Sequence, residues 1–181
     1  KALRATWQLA LDGATTEEDR ARARLITQEA ARRVAAARTP DLAAYLRELD
    51  LKVEIAPAAA ADVDRIVQLA ARTTQFNLLL RRHTPATVRQ LLTGPGTALT
   101  VRVHDRFGDY GLVGFAFADT DAGILQVRDF FLSCRALGRN VEWRLLQALG
   151  EQAATTGLSA VELRAAPGPR VLRPRRGHSP P

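Results

Sequence analysis

Residues 123–149 read GILQVRDFFLSCRALGRNVEWRLLQAL, and this stretch decides the fold. Its first ten residues, Gly123–Leu132, are an apolar run rich in β-branched and aromatic side chains, which predicts a strand. From Asn140 to Thr156, Val141, Leu145, Leu146, Leu149 and Ala153 recur at helical spacing, which predicts an amphipathic helix. Cys134-Arg135-Ala136-Leu137-Gly138-Arg139-Asn140 makes the turn between them. A loop tightening into a helix leaves several N–H groups without partners at the positive end of the helix dipole, which suits a phosphate or pyrophosphate. Gly138 permits positive φ and a close approach, and Arg135 and Arg139 add charge-assisted hydrogen bonds.

Working back from that strand, two shorter runs precede it. Ala98–His104 and Gly111–Ala118 are joined by Asp105–Tyr110, and Asp119–Ala122 leads on to Gly123. Short links rich in Gly and Asp predict an antiparallel meander, with the hairpin turn at Gly108-Asp109-Tyr110-Gly111. Upstream, Leu51–Ile55 reads as a strand and Ala61–Arg72 as a helix. Thr84-Pro85 caps another helix running to about Leu92. Leu158–Arg164 is a last strand. The order β-α-α-β-β-β-α-β predicts an α+β layer architecture whose final helix crosses to a parallel strand.

Before this domain, Thr16-Glu17-Glu18-Asp19 opens a helix that Thr39-Pro40 stops near Arg38, and Asp41–Leu49 forms a second. Residues 1–50 are thus a helical connector and 51–164 the domain. Residues 165–181, with five of the nine prolines and no periodicity, are expected to be disordered.

The chain of 181 residues carries a net charge of +7. Residues 1–50 hold nine basic and eight acidic groups, and 51–163 hold twelve and eleven. Residues 164–181 hold five arginines and no acid. The body is near neutral, which argues against a nucleic-acid surface on it. No apolar run approaches the length of a membrane span, and the single cysteine fits a cytoplasmic setting. An arginine- and alanine-rich, lysine-poor composition suits a bacterial GC-rich genome. The histidines His83, His104 and His178 have no ligand spacing, so no metal is expected.

The Arg135-x-x-Gly138-x-Asn140 turn, placed after a three-strand meander, resembles the acyl-CoA loop of the GNAT acyltransferases, (Arg/Gln)-x-x-Gly-x-(Gly/Ala). It departs at Asn140, whose side chain would crowd a phosphate. Three stretches narrow the resemblance: RTTQFNLLLRRHT at Arg72–Thr84, DRFGDYGLVG at Asp105–Gly114, and FFLSCRALGRNVE at Phe130–Glu142. Together with the Thr16–Arg20 start they are similar to the C-terminal, GNAT-like region of FkbH-like (HAD-IIIC family) proteins. Those proteins pair a HAD domain with a GNAT-like one and form glyceryl-carrier-protein on the way to methoxymalonyl extender units for polyketides.

The resemblance implies a central, mostly antiparallel sheet with flanking helices, truncated at the C-terminus and preceded by the tail of a missing HAD-like domain. It implies acyl-CoA, or the phosphopantetheine arm of an acyl carrier protein, as cofactor, with the carrier protein and a HAD-like domain as partners. The arm would lie along Phe130–Ser133, where a splay exposes backbone groups. The cofactor-binding set is then Phe131, Leu132, Ser133, Arg135, Leu137, Gly138, Arg139 and Asn140. Gln75, Phe76, Asn77, Arg81 and Arg82 would border the acyl or acceptor pocket, holding a carboxylate or phosphate; the alternative is that Phe76 packs, Asn77 caps and the arginines are solvated. Cys134 is a candidate catalytic thiol, or else a small core residue. Asp129 stands where the fold sometimes carries a general base, but Arg128-Asp129 replaces the family's Asp-Thr, and a one-residue shift reverses facing. An acyltransferase is one outcome of this reading; a non-catalytic carrier-protein docking module left by truncation is the other.

Overall fold

The computed structural model describes residues 17–38, 41–73 and 76–164. The expectations for Thr16, Thr39-Pro40, Gln75, His178 and the tail 165–181 lie outside the described residues. The chain divides into two units, one of residues 1–51 with 105–108, the other of 52–104 with 109–181.

In the first unit, α1 (Glu17–Arg38) is followed by α2 (Leu42–Leu49). The Asp41 side chain caps α2 by accepting from the Ala44 amide at 2.7 Å, and Asp50 closes it in the left-handed region. Arg32 is buried and meets Asp105 through two hydrogen bonds, Nε–Oδ2 at 2.8 Å and Nη2–Oδ1 at 3.0 Å. Asp105 Oδ1 also accepts from the amides of Phe107 and Gly108. The carboxylate therefore organises the tight turn at Arg106-Phe107. That turn, rather than Gly108–Gly111, joins the two strands. Gly108–Gly111 lies within the second of them, because Asp105 pulls the reversal two residues earlier.

In the second unit, β1 (Lys52–Pro57), β2 (Thr97–Asp105), β3 (Gly108–Asp121), β4 (Ile124–Leu132) and β5 (Val161–Leu163) form one sheet in that order. The β1–β2 and β3–β4 pairs are antiparallel, and β4–β5 is parallel. β2 and β3 are longer than their sequence patterns suggest, because the connecting turns shrink to Arg106-Phe107 and Ala122-Gly123, while β4 starts one residue later than its pattern, at Ile124.

A 3-10 turn at Ala60–Asp62 leads into α3 (Val63–Arg72), and α4 (Pro85–Thr93) starts from a Thr84 cap accepting from the Thr87 amide. Val63, Ile66, Leu69 and Ala70 of α3 and Val88 of α4 join Leu112, Phe115, Phe117 and Phe131 in one core. α5 (Val141–Thr155) buries Val141, Leu145, Leu149 and Ala153 and contacts β1, β4 and β5.

The β3–β4 register slips between Phe117 and Ala118. Phe117 faces Asp129, but Ala118 faces Val127, so Arg128 is an extra residue. Asp129 is 1% exposed, and Arg128 is half-buried and paired with Asp119 at 2.8 Å. Among the described residues no helix is long and apolar enough to cross a membrane, and no cluster of His, Cys, Asp or Glu could hold a metal.

Candidate functional site

β4 ends at Leu132 and α5 begins at Val141, with 134–140 all in the turn between. The Ser133 amide donates to Val113 O at 2.7 Å and the Ala136 amide to Ser133 O at 2.9 Å. Gly138 (φ 72°) and Asn140 (φ 62°) are both left-handed. A Cβ added at Gly138 would meet nothing within 4 Å, so open space lies beside it. Asn140 stands at the N-cap of α5, but its side chain makes no capping hydrogen bond. Among the described residues, the amides of Leu137 to Trp143 have no acceptor. Arg139 folds back: its Nη1 donates to Tyr110 Oη and to Arg135 O, and its guanidinium lies 5.1 Å from the Tyr110 ring centre.

Beside the start of this turn is a cavity of about 370 Å³ lined by Arg65, Leu69, Arg72, Thr73, Ser133, Cys134 and Arg135. Three guanidiniums share it with no carboxylate in the lining. Arg65 Nη1 donates to Gln68 Oε1 and Nη2 to Leu112 O, both at 3.5 Å. Burial, then the charges of Arg135 and Arg72, lower the Arg65 pKa from its ordinary value. Cys134 is exposed at the mouth of this cavity, not a core residue. Sequence reasoning singled out Arg135 but missed Arg65 and Arg72. They stand seven positions apart on one face of α3 with Leu69 between them, and that spacing was the available signal.

β5 pairs only with Leu125–Val127, so the β4 edge beyond Val127 lacks a strand neighbour. That edge is not open. Leu78 N–H donates to Phe130 O at 3.1 Å, Leu132 N–H donates to Phe76 O at 3.0 Å, and Asn77 bridges Phe131. Phe76–Leu78 is therefore a short antiparallel strap along the β4 edge. The exposed backbone groups expected at Phe130–Ser133 are thus occupied by the chain itself. Phe131 and Leu132 have fully buried side chains, with Phe131 stacked near Phe115.

Phe76 packs edge-on against Phe130 at 5.9 Å, and the buried Asn77 donates from Nδ2 to Arg81 O at 3.2 Å. Arg81 and Arg82 are exposed. Arg81 lines a smaller cavity of about 120 Å³ with Leu79, Gln126, Val127, Arg128, Glu162 and Arg164, separate from the three-arginine cavity. The structure thus gathers Ser133, Cys134 and Arg135 at one place, Leu137–Asn140 at the entrance to α5, and Phe76–Arg82 along the β4 edge.

His83, which precedes the Thr84 cap, lies over β4. Its Nε2 is 2.9 Å from Asp129 Oδ1, with the two side chains 4% and 1% exposed. Among the described residues, His83 Nδ1 and Asp129 Oδ2 are buried without hydrogen-bond partners. Trp143 is 67% exposed on the first turn of α5.

No protein-family model and no curated protein matches the sequence. Solved structures do match. A ribosomal-protein-alanine N-acetyltransferase from Brucella melitensis biovar Abortus 2308 superimposes with a TM-score of 0.52 at 23% identity, over 65% of this chain and 83% of that one. The fold is that of the GNAT acetyltransferases. Two further matches have lower scores. The ribosomal-protein-S18-alanine N-acetyltransferase from Escherichia coli has a TM-score of 0.49 at 12% identity, over 64% of this chain and 69% of that one. An acetyltransferase from Trypanosoma brucei has a TM-score of 0.48 at 14% identity, over 64% and 84%.

Proposed function

We propose that the GNAT-fold domain binds the phosphopantetheine arm of an acyl thioester, as acyl-CoA or on an acyl carrier protein, and acts as an acyltransferase-like module. The observation that carries this is the β4–α5 turn. Gly138 and Asn140 in the left-handed region leave the first-turn amides of α5 without acceptors, with Arg135 beside them. Amides and a helix dipole aimed at one place stabilise a pyrophosphate or phosphodiester. The similarity of Arg72–Thr84, Asp105–Gly114 and Phe130–Glu142 to FkbH-like proteins supports a carrier protein as the source of the arm. It also supports a role in glyceryl- or methoxymalonyl-carrier-protein formation for polyketide biosynthesis.

Calorimetry with acetyl-CoA, holo-carrier and apo-carrier protein tests the reading. Binding of acetyl-CoA or holo-carrier, lost in Gly138→Val, is the expected result. Equal affinity for apo- and holo-carrier would overturn it.

A second reading is favoured by one observation, the Phe76–Leu78 strap on the β4 edge. If the strap stays in place, the domain docks a carrier protein without catalysing transfer. Binding of holo-carrier with no turnover of any acyl donor would select this reading.

A further inference from the structure

We infer that the Arg65–Arg72–Arg135 cavity is a phosphate-monoester site, distinct from the cradle at residues 137–143. Arg65 and Arg72 project from one face of α3, and Arg135 enters from the β4–α5 turn. Leu69 supplies an apolar patch between the two helix arginines, while the hydroxyls of Thr73 and Ser133 add neutral donors. Among the described residues, none of the three arginines has a carboxylate partner within ion-pair distance, so their mutual repulsion is left for a ligand to offset.

Geometry selects phosphate over carboxylate. A carboxylate offers two oxygens in one plane, which a single guanidinium fork satisfies. A phosphate monoester offers three oxygens spread around a tetrahedron, one to each of three guanidiniums arranged around a concave wall. The cavity volume of about 370 Å³ also leaves room for part of the esterified group. The inference does not require the thioester reading, because Arg65 and Arg72 lie outside the turn that carries it. A phosphate monoester could come from a small phosphorylated metabolite or from the 3′-phosphate of CoA, and the same experiment separates them.

The test is calorimetry and thermal melting of the full chain with inorganic phosphate, glycerol 3-phosphate, CoA and 3′-dephospho-CoA. Ionic strength is matched with chloride, and the variants are Arg65→Gln, Arg72→Gln and Arg72→Lys. The expected result is a melting temperature raised by a monoester in the wild type, with affinity lowered at least tenfold in both Gln variants and partly kept in Arg72→Lys. If Arg72→Gln weakens CoA but not 3′-dephospho-CoA, the monoester is the nucleotide's. If it weakens glycerol 3-phosphate and leaves both CoA forms equal, the ligand is a separate small phosphate. No wild-type response beyond matched chloride, or Gln variants that respond like the wild type, would overturn the inference. Arg72 is exposed, so its variants keep the test decisive even if Arg65→Gln disturbs folding.

Discussion

His83 and Asp129, 46 positions apart in sequence, meet at 2.9 Å, and the ring of His83 lies 6.2 Å from that of Phe131. Both side chains are out of contact with water, so neither can lose its partner cheaply. His83→Ala is expected to destabilise the domain by about 3–5 kcal/mol, since it strands a buried carboxylate. The double variant His83→Leu/Asp129→Leu should cost less than the sum of the two singles. Urea unfolding of the four proteins in the cycle measures the coupling.

Phe131 fills the centre of the core between α3 and the sheet. Truncation to alanine should cost about 3–5 kcal/mol through lost burial and a residual cavity. A thermal melt would show this as a lower transition temperature. Replacing the exposed Cys134 by alanine should change stability by no more than about 0.5 kcal/mol.

Asn140 holds a positive φ and offers no cap, so its side chain contributes crowding without a compensating hydrogen bond. Asn140→Gly is expected to keep the melting temperature and to tighten acetyl-CoA binding. Gly138→Val puts a β-branched residue at φ 72° and should lose about 1–2 kcal/mol. Calorimetry and melts on this pair of variants report opposite directions if the turn is the cradle.

Arg32 and Asp105 form the buried pair of the first unit. Arg32→Met should remove the two guanidinium hydrogen bonds to the buried Asp105 carboxylate, at a cost of about 3–5 kcal/mol. Limited proteolysis near Arg106 is the convenient readout.

Much of the fold was legible because its signals are local. The helix caps at Asp41 and Thr84, the apolar stripe of α5 and the Gly- and Asp-rich links of the meander are each written within a few residues. The turn at 134–140 was legible for the same reason. Other features depend on distant pairings. The Arg128 bulge is set by which residue of β3 lies opposite, and no pattern within β4 announces it. His83 reaches Asp129 only because the 76–83 segment runs along β4. The strap carries no strand signature, since Phe76-Asn77-Leu78 is too short to show alternation. Arg65 and Arg72 gain a shared cavity only through Arg135, 63 positions after Arg72, and no local pattern in α3 announces that partner.

The strap has a kinetic consequence. A ligand arm that hydrogen-bonds to Phe130 O and Leu132 N can arrive no faster than Leu78 and Phe76 release those atoms. Its observed association rate should then rise with concentration and level off at the opening rate of the strap, whatever the ligand's affinity. A ligand that uses only the turn would show no such ceiling, so a stopped-flow titration separates a domain that opens to work from one that is permanently sealed along this edge.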